Sequence, residues 1–397
     1  MQPTATLSSK RITSIDLLRG IVMIIMALDH VRDYFHAGAF IFDPLDLEKT
    51  NTALFFTRWI THFCAPVFMF LAGTSAFLVG QKKSKKELSF FLLKRGIWLL
   101  LLELTLINFG WNFDITFTNI YFIVIWALGL SMVLLAGLIH LPVKLILLIA
   151  GLLVAGHNLL DNIHVTGNSL QAFGWALLHD QNFFSWQGKN FLVGYPILPW
   201  IGVMALGYCF GTFYTSVYSS ERRKKILLLI GGSAVLLFIL LRFINLYGDP
   251  FPWNRQSSAF YSFLSFLKVQ KYPPSLLYIL VTLGPAILFL AFAEKINTTA
   301  SKAISVYGRV PMFYYVLHIF LIHLLAMASA GLFTNYGWGV WILKQPLWFA
   351  EGLKGYGFSL GVVYLVWLII VIGLYPLCKK YDRYKSAHKE KWWLSYL

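Results

Sequence analysis

Two residues in the first apolar run of the chain, Arg19 and His30, are spaced to act together. They lie eleven positions apart, close to three full helical turns, so in a helix they share one face, separated by roughly 16 Å along the axis. Asp16 precedes Arg19 by three residues and Asp33 follows His30 by three, on the same stripe, with Met23 and Met26 between. An ionisable side chain at bilayer depth costs about 3 kcal/mol or more unless it is paired or wet. A stripe of four such groups therefore belongs against a water-filled or ligand-filled interior. Arg19 has the geometry to hold a phosphate or another anion. His30 can serve as a general base, with Asp33 one turn away to orient its ring. An internal salt-bridge network without chemistry would use the same stripe.

Other polar groups fall inside apolar runs: His62, Glu103, His318 with Tyr314 and Tyr315 one turn before it, and His323. A single histidine in such a place is more often a hydrogen-bonded packing group than a reactive one. His157, Asp161, His164, His179 and Asp180 match no metal-ligand spacing, so they are expected to be solvated loop residues and no metal is expected. No glycine-rich phosphate loop occurs. Gly194 to Gly202, with Pro196 and Pro199, reads as an interrupted helix start. Cys64, Cys209 and Cys378 have no metal or disulfide spacing and read as small buried hydrophobes.

The elements that must carry these residues follow from composition. Of 397 residues, 58% are hydrophobic and only 13% charged, and the mean hydropathy is +0.67. That leaves too little polar surface for a water-soluble domain. Ten runs approach the ~20 residues that cross the hydrocarbon: 15–35, 53–80, 91–109, 120–140, 143–156, 191–214, 226–246, 275–292, 312–332 and 358–377. The expected fold is an all-α polytopic transmembrane bundle of about ten helices, forming a single domain over 1–397. The net charge of +16 comes from short basic runs between spans: Lys82 to Lys86, Arg222 to Lys225, Lys295 to Arg309 and Lys379 to Lys391. With alternating helices all of these fall on one side, which places both termini in the cytoplasm. The same distribution argues against nucleic-acid binding. Lys10 and Arg11 before the first run imitate a signal peptide, but charged residues follow it where a cleavage site would be, so an uncleaved first helix is expected.

The run Arg11-Ile12-Thr13-Ser14-Ile15-Asp16-Leu17-Leu18-Arg19-Gly20 with Met26-Ala27-Leu28-Asp29-His30 resembles the catalytic domain of the heparan-alpha-glucosaminide N-acetyltransferase family. Phe63-Cys64-Ala65-Pro66 through Gly73 resembles that family's second helix. Tyr195 to Gly207 and Tyr314-Tyr315-Val316-Leu317-His318 extend the likeness. The spacing of Arg19 and His30 also resembles that of membrane O-acetyltransferases of bacterial surface sugars.

The resemblance implies an acyltransferase that takes acetyl-CoA from the cytoplasm and acetylates an amine or hydroxyl of a sugar or glycan on the far side. It implies a bacterial inner-membrane protein in contact with membrane lipid, and a homodimer is compatible with it. In the family's lysosomal member an essential histidine lies in the loop after the first helix and an Asn takes the place of His30, which makes His36 the second candidate base. In a continued helix His36 would be about 100° off the stripe. Arg19, with Lys94 and Arg95, is expected to bind the CoA phosphates. A transporter or flippase for a polar or anionic substrate is the alternative reading, and a non-catalytic scaffold a third.

Overall fold

The structure is a computed structural model that describes residues 12–391 and Leu394; Lys10 and Arg11 lie outside the described residues. The first helix, α1 (Thr13–Phe35), runs through the middle of the molecule. Next, α2 (Thr52–Ile60) is started by the Asn51 side chain, which accepts from the Leu54 N–H. A 3₁₀ turn joins it to α3 (Cys64–Gly80). A capping box of Ser84 and Glu87 opens α4 (Lys85–Leu102); it continues through a π turn at Glu103–Ile107 into α5 (Asn108–Asn112). Strand β1 (Asn119–Phe122) precedes α6 (Val124–Leu138), and α7 (Val143–Gly156) follows.

Then come α8 (Leu170–Leu178), β2 (Asn182–Trp186), β3 (Lys189–Val193), α9 (Ile197–Phe210) and α10 (Ser220–Ile244). The remainder is α11 (Ala259–Leu267), α12 (Leu276–Ala293), α13 (Thr299–Arg309), α14 (Pro311–Phe333) and α15 (Leu360–Ala387).

Every one of the ten apolar runs contains a helix, and among the described residues seven helical stretches are long and apolar enough to cross a membrane by themselves. The fold is an all-α polytopic bundle. Two runs differ from expectation at their starts. Residues 120–122 and 191–193 are strands, so α6 has 15 residues and α9 only 14. Strand β3 pairs parallel to β1 (Ile120 with Phe191) and antiparallel to β2. The β2–β3 hairpin turns at Gln187 and Gly188, both at positive φ, the geometry a two-residue hairpin needs.

The stretch 158–190 is therefore not a loop but a folded layer with its own apolar core of Ala172, Ala176, Phe184 and Val193. Arg242, buried at the end of α10, donates to the carbonyls of Phe251, Ser265 and Phe266 at 3.0 Å and ties down the segment 245–275 that joins α10 to α12.

Two glycine pairs allow close helix crossings. A Cβ on Gly308 would lie 1.9 Å from the Asp16 carbonyl and one on Gly20 2.1 Å from that of Ile304, so α13 and α1 touch backbone to backbone. Gly73 and Gly207 do the same for α3 and α9.

The basic connections meet at one end of the bundle. Arg309 forms a bidentate pair with Asp382 (2.7–2.9 Å), Arg223 pairs with Glu294 (2.8 Å), and Lys85 reaches the His140 carbonyl (3.3 Å). The folded layer, the sheet and the 334–358 connection lie at the other end, joined by Asn119 Nδ2 to the Leu343 carbonyl (3.0 Å). All three cysteines are buried and free.

Candidate active site

The charged stripe of α1 faces the interior, and two cavities open against it. The first, of about 370 Å³, lies toward the basic end and is walled by Arg19, Met23, Met26, Phe68 and Met69. Arg95, Arg309 and Lys385 add positive charge to its lining. Arg19 donates to the Ser75 hydroxyl (2.8 Å) and the Gly308 carbonyl (3.2 Å), with Asp16 at 3.7 Å. The close α1–α13 crossing is what brings that carbonyl within reach.

The second cavity, of about 440 Å³, lies toward the opposite end and is lined by Asp29, His30, Asp33, Arg58, Trp111 and Lys271 among others. Its walls include Gln181 just before β2 and Leu192 of β3. The two cavities share Val124 and Tyr315. His30 is next to that junction, its ring edge-on to Tyr315 with centroids 6.1 Å apart and to Trp111 at 5.0 Å.

Hydrogen bonding fixes the protons on His30. Its Nδ1 lies 2.8 Å from His318 Nε2, and His318 Nδ1 lies 2.9 Å from the Tyr314 carbonyl. A carbonyl only accepts, so His318 carries its proton on Nδ1 and, as a neutral ring, accepts at Nε2. His30 must then donate from Nδ1, which leaves its Nε2 lone pair free of a proton and available as a base. The two rings lie edge to edge in nearly one plane, 11° from parallel with centroids 5.0 Å apart, as an N–H···N bond between them requires.

Asp33 does not orient His30, contrary to the sequence expectation. Its carboxylate is taken by the adjacent Arg32, and His318, read from the sequence as a packing group, holds the ring instead. Asp33 still lines the second cavity. His36 lines neither. The helix ends at Phe35, so His36 leaves the stripe as an extended capping residue and accepts from the Gly38 N–H at 3.1 Å. Burial, then the charge of Arg32, pushes its pKa below the ordinary imidazole value. Arg95 lines the first cavity, whereas Lys94, one position earlier, is exposed and packs over the Phe90 ring at 4.3 Å.

An ion cluster borders His30 that the sequence reading missed. Asp29, one residue earlier, accepts from Arg58 at 2.7 and 2.8 Å and is ion-paired with Arg32 at 2.9 Å and Lys271 at 3.8 Å. Burial alone would push the Tyr272 phenol up, but Lys271 and Arg58 bring it below its ordinary value. Counting Asp33, three cations face two carboxylates. A positive surplus beside a base suits a reaction in which negative charge develops on a nearby oxygen. Within α1 only Asp29 and Arg32 were local signals; Arg58 comes from α2 and Lys271 from the connection before α12.

The sequence profile described as "Heparan-alpha-glucosaminide N-acetyltransferase, catalytic" matches residues 11–242. That is more than half of the chain and contains the whole of α1 with Arg19 and His30. No curated protein matches the chain. With the match spanning the helix that bears the site, the chain is a multi-pass membrane protein that belongs to the heparan-alpha-glucosaminide N-acetyltransferase catalytic-domain family.

Proposed function

We propose that the protein moves an acetyl group from cytoplasmic acetyl-CoA to an amine or hydroxyl of a sugar or glycan on the other side of the inner membrane. The observation that carries this reading is the pair of cavities in series, meeting at Val124 and Tyr315 beside His30. The basic end faces the cytoplasm by the distribution of its lysines and arginines. There Arg19, Arg95, Arg309 and Lys385 meet the phosphates of CoA, and the methionine- and phenylalanine-lined wall takes the pantetheine arm. The distance from Arg19 to His30, roughly 16 Å by helical rise, lets the thioester end approach the junction.

The acceptor enters the second cavity, whose charged groups suit a hydroxylated molecule. His30 Nε2 removes the proton from the acceptor hydroxyl, or from an ammonium to free the amine. The acceptor atom attacks the thioester carbonyl carbon, and the surplus positive charge of Arg32, Arg58 and Lys271 favours the oxyanion. The C–S bond then breaks, and the thiolate of CoA takes the proton back from His30; for an ammonium acceptor the second proton lost from nitrogen is released to water.

The test is transfer from radiolabelled acetyl-CoA to candidate glycans in proteoliposomes, donor on one side and acceptor on the other. Transfer that depends on His30 and on donor supplied at the basic face supports the reading. Donor-independent movement of the acceptor across the bilayer would make the protein a transporter instead.

A further inference from the structure

A second cluster of ionisable groups lies away from the stripe, at the end of the bundle opposite the basic connections. After α7 the chain makes a 3₁₀ turn, His157–Leu160, with Asp161 as its C-cap. His179 is the C-cap of α8. The sequence reading left these as solvated, but His157 and His179 are 3% and 2% exposed. One ligand atom from each of His157, Asp161 and His179 lies within 4.8 Å of the others, and His179 Nε2 is 3.3 Å from Asp161 Oδ1. The rings meet edge to face at 5.5 Å.

Neither nitrogen of either ring makes an aligned hydrogen bond. Buried imidazoles without an aligned hydrogen bond are costly, and each asks for an explanation. We propose that His157, Asp161 and His179 bind a zinc-class divalent cation.

The chemistry of the donors selects the class. Two neutral imidazoles and one carboxylate suit Zn²⁺ and its neighbours, not Ca²⁺ or Mg²⁺, which take oxygen sets. In a tetrahedral zinc site, ligand atoms are about 3.4 Å apart, so the His179–Asp161 pair already has the required separation. Small side-chain rotations bring His157 in, and the fourth position goes to water.

The outer partners are in place as well. Asn158 Nδ2 donates to Asp161 Oδ2 at 2.7 Å, leaving Oδ1 for the ion, and Asn158 Oδ1 is itself held by the Leu276 N–H at 2.9 Å. The backbone carbonyl of Pro274 is close to His157, where it can take the second ring proton. The ion joins the end of α7 to α8, and two residues after His179 the chain reaches Gln181, in the wall of the second cavity. It is a clamp on the layer that shapes that cavity.

The full chain, purified in detergent through a tag without histidine and stripped with a chelator, is titrated with Zn²⁺ against a chromophoric competitor, and separately with Co²⁺. The expected result is one Zn²⁺ per chain, a higher melting temperature on adding it, and a visible cobalt absorption of four-coordinate strength. Asn158→Ala should weaken Zn²⁺ about 10–100-fold. His157→Gln, Asp161→Asn and His179→Gln should weaken it at least as much and abolish the melting shift. Less than half an equivalent of Zn²⁺ at micromolar free metal, or unchanged affinity in a folded His157→Gln/His179→Gln double variant, overturns the site. Should those variants fail to fold, the wild-type cobalt spectrum decides: no four-coordinate band, no site. None of these readouts uses acyl transfer, so the result stands or falls apart from the proposed activity.

Discussion

The two cavities against α1 are built from different materials. Toward the basic end the walls are methionine, phenylalanine and leucine, with cations added to the lining. Toward the other end the ionic groups surround the space itself: Asp29, Arg32, Asp33, Arg58 and Lys271 all line it. An apolar channel with positive groups fits a molecule with an anionic head and a long uncharged arm. A cavity with five ionic groups fits one that offers hydroxyls throughout. Both are served by one helix, and the difference lies in what else walls each cavity: α3, α4 and α6 on one side, α2 and strand β3 on the other.

That contrast can be broken at its junction first. His30→Ala should lower acetyl transfer by about 10²–10⁴-fold, while folded His36→Ala keeps it near normal. The reverse pattern in labelled-acetyl assays would move the base out of the cavities altogether. Next comes the ionic wall. Asp29→Ala leaves Arg58, Arg32 and Lys271 without their shared carboxylate, at a cost of about 3–5 kcal/mol, read as a lower midpoint in thermal unfolding; an unmoved midpoint would mean that the cluster is wet and weak.

The first cavity is sharpened by neighbours in sequence. Arg95→Ala should raise the acetyl-CoA requirement about tenfold to a hundredfold, as expected for a lost hydrogen bond to a charged group, without changing the requirement for acceptor. His318→Ala should slow transfer about threefold to tenfold, since a neutral hydrogen bond is worth about 1 kcal/mol, and should alter the pH profile of the rate, which a purely structural role would leave alone. Lys94→Ala, on the exposed face over Phe90, should change neither requirement; an effect equal to that of Arg95→Ala would show that the donor reaches past the cavity.

Much of this was legible in the sequence because a helix converts spacing into geometry. The stripe of Asp16, Arg19, His30 and Asp33 follows from 100° per residue, and the ten apolar runs follow from bilayer thickness. What was not legible came from contacts that no local rule connects. Asp29 meets Arg58 from α2 and Lys271 from the connection before α12. His318 meets His30 from nearly three hundred residues away. His179 joins His157 and Asp161 only once α8 has folded against α7. The hairpin at Gln187 and Gly188 did carry a signal, a turn with glycine between aromatic-rich strands, but Phe191 onward reads equally well as the start of an apolar span.

One arrangement near the junction bears on a different duty. Helix α6 begins at Val124, the residue shared by both cavities, and its first turn is capped from another helix, where the buried Glu103 carboxylate accepts from the Trp126 N–H at 3.0 Å. The π turn at Glu103–Ile107 is where α4 supplies that carboxylate. The partition between the two cavities is thus a helix end with an amide group satisfied by a protein side chain. A protein that took donor and acceptor from opposite faces, as proposed, would also have to insulate the membrane, and Glu103 ties that insulation to a residue that lines neither cavity. Glu103→Leu would strip the cap and leave amide N–H groups unanswered in the partition. The consequence to look for is leak, an ion or proton current across proteoliposomes, in a protein whose His30 is unchanged.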